Sequence, residues 1–385
     1  MSKKNLMLST ILGIMLIGLV GASYLNFAQK KTQSQPLTKV SENKNTAVDE
    51  TKNIPFLSTV ADNLEIPWAL VFLPDKSILF TERAGRVRLI DKNGNLLSNP
   101  IAIIPDVKNI GEGGLLGITI HPDFIKNYFV YLYYTYANDN GQTLNRVVRF
   151  KFENNSLSNK TIIVDETPGN VFHDGGRIKF GPDGFLYITT GDSQNPSLAQ
   201  DKNSLAGKIL RVTDVGQPAP DNPFNNLVYS YGHRNPQGLA WDSMNRLWAT
   251  EHGPSGGQFG TGNDELNLIK QGQNYGWPVI QGNQKQDGME TPIINSASDI
   301  WAPSGAAFFN GSIFFAGLRG EALYEAEIKG NNAVLKEHLK GKIGRIREVV
   351  VGPDNFLYLT TSNRDGRGIP DEFDDKIIRV NPSRL

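Results

Sequence analysis

The sequence predicts an all-β fold, a six-bladed β-propeller of four-stranded antiparallel blades, preceded by an N-terminal signal or anchor helix. Two observations predict the propeller. A turn-and-strand phrase recurs six times, and the 385 residues include 39 Gly and 21 Pro. Gly and Pro at this frequency indicate many turns and few long helices. A hydrophobic content of 39% is enough for a large core.

Each copy of the phrase is a tight turn followed by a short apolar run. In the clearest copy, residues 181–184 read Gly-Pro-Asp-Gly, in which Pro presets φ and Gly tolerates a positive φ. The six predicted strands are residues 77–82, 128–136, 185–192, 246–251, 312–317 and 356–361. Intervals of about 43 to 68 residues suit four-stranded blades with uneven loops. A large β-sandwich or two all-β domains would leave this recurrence unexplained.

The N-terminus predicts export. Lys3 and Lys4 precede an apolar stretch at residues 6–25, so residues 1–28 are interpreted as a signal peptide or a signal anchor. The stretch could also span a bilayer, which leaves the cleaved form and the membrane-tethered form both open. Residues 29–53 are polar and predict a disordered linker, and the propeller is assigned to residues 54–385. We expect a periplasmic or other extracytoplasmic location.

Charge and cysteine content exclude several functions. Lys plus Arg and Asp plus Glu both number 39, so no overall field favours nucleic acid as a partner. The absence of Cys excludes disulfides, thiolate nucleophiles and Cys-ligated zinc. Any chemistry must therefore come from local clusters of polar residues.

Two phrases are rich in polar residues that suit a ligand. In residues 173–177, glycines allow close backbone approach and His173 is available as a base, although a structural His is the alternative. Residues 231–238 include Arg234 and Asn235, whose donors suit an anionic or carbonyl-rich ligand or, alternatively, cap neighbouring blades.

Two further phrases complete the candidate site. Arg345 and Arg347 alternate along a predicted strand, so either an anion separates the two cations or the strand has a solvated edge. Residues 251–257, 263–267 and 274–278 are rich in oxygen ligands of the kind that calcium prefers, or are simply rich in turn residues. Their spacing does not match an EF-hand.

These phrases resemble, in the same order, those of the soluble dehydrogenases for glucose and aldose sugars that depend on pyrroloquinoline quinone (PQQ). The matching phrases are residues 111–117, 173–177, 232–238, 252–254, 264–267 and 345–347. The similarity extends over about residues 54–383.

The resemblance implies a role for each matched residue. His173 would be the general base for the anomeric hydroxyl of an aldose, and Asp192 would orient it. The cofactor-binding residues would be Arg234, Asn235, Arg319, Arg345 and Arg347. A tricarboxylate cofactor needs several cations, and Arg pairs with carboxylates in a bidentate manner.

Calcium is the second cofactor that the resemblance implies. Gly253 and Pro254 would offer main-chain carbonyls to a calcium ion that polarises the quinone, and Glu265 and Tyr275 match a second, structural calcium site.

Two positions depart from the family pattern, and substrate contacts are less well matched. Glu112 stands where relatives carry Gln, and Arg319 replaces a Lys. Gln200 and Trp301 fall near positions that line the substrate cleft in relatives, as does Glu112.

We expect an oxidoreductase that passes electrons to an unidentified acceptor, either a membrane quinone or a soluble redox carrier. The alternatives are a metal-dependent hydrolase of the lactonase type, which would need several carboxylates or His around one metal, and a cofactor-free binding propeller. The sequence does not identify the sugar.

Overall fold

The structure is a computed structural model that describes residues 54–385. The predicted signal or anchor segment (residues 1–28) and the predicted linker (residues 29–53) lie outside the described residues. In the part of the chain that is described, no helix is long and apolar enough to cross a membrane.

Residues 54–385 form six antiparallel sheets of four strands each, which confirms the predicted propeller. Blade 1 consists of β2 (Pro67–Phe72), β3 (Ile78–Glu82), β4 (Arg86–Ile90) and β5 (Ala102–Ile103). Blade 2 consists of β6 (Leu115–Ile120), β7 (Phe129–Ala137), β8 (Thr143–Glu153) and β9 (Ser156–Pro168). Blade 3 consists of β10 (Ile178–Phe180), β11 (Leu186–Thr190), β12 (Lys208–Val212) and β13 (Val228–Tyr231).

The second half of the chain forms the remaining blades. Blade 4 consists of β14 (Pro236–Trp241), β15 (Leu247–Glu251), β16 (Glu265–Ile269) and β17 (Ile294–Asn295). Blade 5 consists of β18 (Pro303–Phe309), β19 (Ser312–Gly317), β20 (Ala322–Lys329) and β21 (Asn332–His338). Blade 6 consists of β22 (Ile346–Val351), β23 (Leu357–Thr361), β24 (Ile377–Val380) and the first strand of the domain, β1 (Leu57–Ala61). Helical structure among these residues is limited to α1 (Phe124–Asn127) and three 3-10 turns (Pro196–Ala199, Gly257–Phe259 and Pro382–Arg384).

Pairing between β1 and β24 closes the ring. The two strands are antiparallel, with Leu57 opposite Val380 and Ala61 opposite Ile377. Because the N-terminal strand completes the C-terminal blade, the ring is held together by strand pairing as well as by apolar packing.

The recurring phrase marks the second strand of every blade. The six predicted strands correspond to β3, β7, β11, β15, β19 and β23. Four of these strands, namely β3, β11, β15 and β23, are buried at all five positions. Burial on both faces explains why their sequences are continuous runs of apolar residues and Thr and do not alternate between apolar and polar residues. The prediction was too long in blade 3. There β11 ends at Thr190, because Asp192 N donates to the carbonyl of Arg234 at 2.8 Å instead of continuing the strand pairing.

This topology determines where side chains can meet. In each blade the second strand ends at the end of the ring where the first strand begins, because the two strands are antiparallel. The loops that lead into the first strands and the loops that follow the second strands therefore converge at one end of the propeller. Residues that are far apart in the sequence can share a pocket there.

Candidate active site

The converging loops enclose a cavity of about 450 Å³. This volume is typical of small-molecule sites, which range from about 300 to 1,000 Å³. The cavity is lined by Glu112, Phe172, His173, Gln237, His252, Ser255, Ile300, Ala302, Leu318, Arg319, Arg345, Arg347 and Arg367. A larger cavity, of about 580 Å³, lies at the turns between first and second strands, at the opposite end of the ring. It contains none of the predicted site residues, so we assign the candidate site to the smaller cavity.

His173 and Asp192 form a hydrogen-bonded pair at the wall of the cavity. Nδ1 of His173 lies 2.7 Å from Oδ1 of Asp192, which is fully buried. Trp277 Nε1 donates to the second carboxylate oxygen at 2.8 Å, and Gln194 N donates to the first at 2.9 Å. Because a carboxylate only accepts, Nδ1 carries the proton, and the lone pair of neutral His173 is on Nε2.

Glycine allows the two segments of this pair to approach. A Cβ atom at Gly191 would lie 1.9 Å from the carbonyl oxygen of His173, a distance that no side chain tolerates. Gly191 lies between the end of β11 and Asp192, where the chain passes directly against the His173 loop. The sequence Gly-Asp at this point therefore places the carboxylate within hydrogen-bond distance of the imidazole.

Glu112 projects from the loop between β5 and β6. Its Oε2 accepts from the backbone N–H of His173 at 3.2 Å, and its Oε1 accepts from Arg367 Nη1 at 2.8 Å. Burial by itself would raise the pKa of Glu112, but electrostatic interactions with His252, Arg367 and His173, together with the hydrogen bond from Arg367, lower it to about 2. Of these partners Arg367 stays charged at neutral pH, whereas burial lowers the pKa of His252 to about 3. Glu112 is therefore an ionised acceptor next to His173 at neutral pH.

Arg345 and Arg347 both line the cavity and are only 5% and 4% exposed, which excludes a solvated strand edge. Asp365 pairs with Arg345 at 2.8 Å, and Arg347 Nη1 donates to Gln237 Oε1 at 2.7 Å. Burial lowers the pKa of Arg347 to about 9, with Arg345 adding to this effect and Asp365 opposing it. One detail of the prediction was wrong, since Arg345 precedes β22 instead of lying on it.

A buried network joins the inner strands beside the cavity. Arg177 pairs with Glu348 across the ring, and Arg177 Nε donates to the main-chain oxygen of Gln237 at 2.9 Å. The guanidinium groups of Arg177 and Arg347 lie 4.4 and 5.6 Å from the ring centroid of Trp68. Gln237 thus links the Arg177–Glu348 ion pair to Arg347 in the cavity.

Arg234 and Asn235, in the short loop before β14, do not line the main cavity but hydrogen-bond to the segments that carry His252 and His173. Arg234 Nη1 donates to the carbonyl of His252 at 3.2 Å, and Asn235 Oδ1 accepts from Gly175 N at 3.0 Å. Burial lowers the pKa of Arg234. The predicted loop was too long, because its last three residues, 236–238, begin β14.

The sequence interpretation placed Glu265 in a loop, which was wrong. Glu265 lies on β16, directly opposite Glu251 on β15. Burial, together with the charge of Glu251, raises the pKa of Glu265 to about 8. Its oxygens accept from Gly282 N at 3.1 Å and Asn267 Nδ2 at 3.0 Å. Among the described residues, Asn267 Oδ1 and Gln281 Oε1 are buried without a hydrogen-bond donor.

The other predicted calcium ligands are Gly253, Pro254 and Tyr275. Together with Glu265 they line one small void, separate from the main cavity. The Tyr275 hydroxyl accepts from Lys270 N at 2.8 Å and donates to the carbonyl of Leu268 at 2.7 Å. Since this hydroxyl is already satisfied, a metal contact of Tyr275 would have to come from its main chain.

Gln200 and Trp301 are not brought into the cavity with His173. Gln200 Nε2 donates to Asn274 Oδ1 at 3.0 Å and to the carbonyl of Trp277 at 2.6 Å. Trp301 packs against Phe315 and lines a neighbouring cavity of about 460 Å³, which shares Ile300 and Arg319 with the main cavity. Arg319 lines both.

The sequence reasoning missed Arg367, Gln237, His252 and Asp365 as members of the site. Their position in the repeat was an available signal. His252 directly follows β15, and Asp365 and Arg367 follow β23, just as Asp192 follows β11. The residues after the second strands of blades 3 to 6 thus reach the cavity or its wall.

A hydrolytic metal centre finds no support in these side chains. Across residues 54–385, no group of three or more His, Cys, Asp and Glu side chains is arranged to hold a metal ion. The cluster that the lactonase alternative requires is therefore missing from the part of the chain that the structure describes.

Comparisons with known proteins agree with this geometry. The family described as Glucose / Sorbosone dehydrogenase matches residues 64–374. Aldose sugar dehydrogenase YliI of Escherichia coli is 32% identical over 87% of this chain and 94% of its own length. Quinoprotein glucose dehydrogenase B of Acinetobacter calcoaceticus is 32% identical over 62% of this chain and 56% of its own. The PQQ-bound aldose sugar dehydrogenase of Streptomyces coelicolor superposes with a TM-score of 0.78 and 41% identity, covering 84% of this chain and 96% of its own.

Proposed function

The chain belongs to the glucose/sorbosone dehydrogenase family, and we propose that it oxidises the anomeric hydroxyl of an aldose to the lactone with bound PQQ and calcium. The observation that carries the proposal is the His173–Asp192 pair, which faces a cavity lined by several arginines. A base next to a cationic cavity suits the removal of a proton from a sugar that is held beside an anionic cofactor.

The cavity fits a planar tricarboxylate. Three arginines that were predicted as cofactor ligands line it, namely Arg319, Arg345 and Arg347, whereas a fourth, Arg367, pairs with Glu112, the one carboxylate in the lining. Within the described residues, Arg347 Nε and His252 Nε2, which belong to lining side chains, are buried without a hydrogen-bond partner. Buried polar groups are nearly always hydrogen-bonded, so these two nitrogens support a bound group that supplies acceptors.

The calcium proposal rests on oxygen atoms. Glu265, Glu251 and the unpartnered oxygens of Asn267 and Gln281 provide hard ligands of the kind that calcium prefers. Gly253 lies at the same void and donates its backbone N–H to Asp264 Oδ1 at 2.7 Å, which holds the loop whose Gly253 and Pro254 carbonyls would bind the separate calcium ion that would polarise the quinone.

His173 performs the proton transfer in this mechanism. Its Nε2 accepts the proton of the anomeric hydroxyl while the anomeric C–H bond breaks, so the sugar loses one proton and one hydride and becomes the lactone. Asp192 keeps Nδ1 protonated and stabilises the imidazolium that forms. Bound PQQ would supply the hydride acceptor, and bound calcium would supply Lewis-acid polarisation of the quinone. Glu112, as an ionised acceptor beside His173, is placed to bind a sugar hydroxyl.

The test is to load the purified full chain with PQQ and calcium chloride and to measure dye reduction over a panel of aldoses. We expect turnover that requires both additions. His173→Gln should retain the absorbance change of bound PQQ and lose about 10²- to 10⁴-fold in rate, the usual contribution of a general base. His121→Gln is the matched control, because His121 lies away from the cavity beside Asp214. No turnover and no PQQ absorbance change in the wild type would overturn the proposal.

The cellular setting is part of the proposal. We propose an exported enzyme, released after cleavage or tethered by residues 1–28, that passes electrons to a membrane quinone or a soluble redox carrier. The apolar terminal stretch at residues 6–25 supports export.

A further inference from the structure

Arg367 forms a contact across the mouth of the cavity to which the proposed mechanism gives no role. It lies in the loop between β23 and β24, and its Nη1 donates to Glu112 Oε1 at 2.8 Å, from a position 255 residues away in the sequence. Its guanidinium also lies 5.4 Å from the ring centroid of Phe172, the neighbour of His173. The contact therefore joins the last blade to the catalytic loop.

The two partners differ in exposure. The side chain of Arg367 is 49% exposed, whereas that of Glu112 is 17% exposed and also accepts from the backbone of His173. Half-exposed ion pairs contribute little to folding stability, because solvent screens the charges. The main effect of this pair is therefore on the charge and orientation of Glu112, and its effect on folding stability is small.

The loop that carries Arg367 is itself held by the site. Asp365 Oδ1 accepts from Arg367 N at 2.9 Å, and Asp365 Oδ2 accepts from Arg345 Nη2 at 2.8 Å. Asp365 is thus shared between Arg345 in the cavity and the backbone of Arg367. This arrangement places the guanidinium of Arg367 over Glu112.

We propose that Arg367 is a positioning and specificity-determining residue, which neutralises Glu112 and holds its carboxylate toward the sugar so that the site selects neutral aldoses. The inference rests on the proposed sugar oxidation. An ionised carboxylate without its counter-charge would attract a cationic sugar, such as a protonated 2-amino-2-deoxy aldose. With Arg367 in place, the pair presents an acceptor without a net charge.

The test is a double-mutant cycle that combines Arg367→Gln with Glu112→Gln. In Arg367→Gln we expect KM for glucose to rise about three- to fivefold with kcat nearly unchanged, because a half-exposed partner is lost. The ratio of kcat/KM for glucosamine to that for glucose, measured where the amine is protonated, should rise at least about threefold. In the Glu112→Gln background, Arg367→Gln should leave that ratio unchanged, and Arg367→Lys should preserve the wild-type ratio.

A binding measurement gives a readout that does not depend on turnover. Calorimetry with 1,5-anhydroglucitol, which lacks the anomeric hydroxyl, and with its 2-amino analogue should show the same change in selectivity in Arg367→Gln. The control is Arg379→Gln. Arg379 likewise pairs with a carboxylate, Asp354, at 2.7 Å and contacts the Phe356 ring, but it lies away from the cavity.

The outcomes separate this inference from the proposed function. If the wild type oxidises glucose and the selectivity ratio is the same in Arg367→Gln and Arg379→Gln, the specificity role is refuted while the activity stands. If Arg367→Gln shifts the ratio equally with and without Glu112, the role is also refuted, because the effect does not pass through the pair. A wild type that oxidises no aldose and binds no sugar overturns both.

Discussion

Replacement of Asp192 by Asn tests the central pair with little change in shape. Asp192 is fully buried and accepts three hydrogen bonds, from His173 Nδ1, Gln194 N and Trp277 Nε1. An amide has one oxygen, so its NH₂ group must face either Trp277 Nε1 or both His173 Nδ1 and Gln194 N. If it faces His173, Nδ1 becomes the acceptor, the proton moves to Nε2, and the nitrogen on the substrate side can no longer act as a base.

The expected magnitude follows from the loss of that base. General-base catalysis contributes about 10²- to 10⁴-fold, so kcat should fall by this factor, which corresponds to roughly 3 to 5 kcal/mol in the activation barrier. If the NH₂ group faces Trp277 instead, two donors oppose each other in a buried site, at a cost of about 1 to 3 kcal/mol. In this second arrangement His173 keeps its tautomer, but the neutral amide no longer stabilises the imidazolium that forms, so either arrangement impairs the pair.

The assay is stopped-flow measurement of cofactor reduction at saturating glucose, with PQQ binding followed separately by absorbance. The matched control is Asp183→Asn at the turn between β10 and β11, where the carboxylate bonds Tyr187 at 2.9 Å and Arg211 at 2.9 Å, away from the cavity. We expect the control to keep wild-type kcat. A kcat for Asp192→Asn within about threefold of wild type would show that the carboxylate does not set the tautomer of His173.

Three further predictions concern the cofactor site, ring closure and pH. Arg347→Met should weaken PQQ binding at least about tenfold in an absorbance titration. It should cost the apoprotein little stability, because burial already disfavours this cation. Unchanged PQQ affinity together with a large loss of apoprotein stability would contradict a binding role. Ile377 is fully buried where β1 pairs with β24, so Ile377→Ala should lower the free energy of unfolding by about 2 to 5 kcal/mol in a denaturant titration. A loss below about 1 kcal/mol would argue that the pairing of β1 with β24 does not close the ring. Burial raises the pKa of Asp174 to about 7, although hydrogen bonds from Asn145 and Asn170 oppose the shift. The stability that depends on protonated Asp174 is therefore fully present below about pH 4 and is lost as the pH rises through about 7. Relative to wild type, Asp174→Asn should be more stable at pH 8 than at pH 5. An equal stability difference at both pH values would refute the raised pKa.

Much of the site could be predicted because its residues occupy repeated positions of the fold. His173, Arg345 and Arg347 do line the cavity, and Asp192 contacts His173. Gln200 and Trp301 were harder to place, because irregular loops determine which side chains reach the cavity. In both cases local packing and hydrogen bonds use the side chain elsewhere.

Charge partners across the ring could not be predicted at all. Glu112 and Arg367 are 255 residues apart, and neither their spacing nor their local sequence relates them. The sequence did show that Glu112 departs from the family pattern. Only the folded chain shows that an arginine from the last blade neutralises it.

The repeated turn and buried strand were enough to predict the propeller, because each blade encodes them again, and the ordered polar phrases indicated the family. Which polar groups meet in the cavity was visible only in the folded chain, because closing the ring brings loops from different blades to one end at distances that no local pattern specifies. Burial of a strand is a local property of its residues, whereas the pairing of two charges depends on the whole ring.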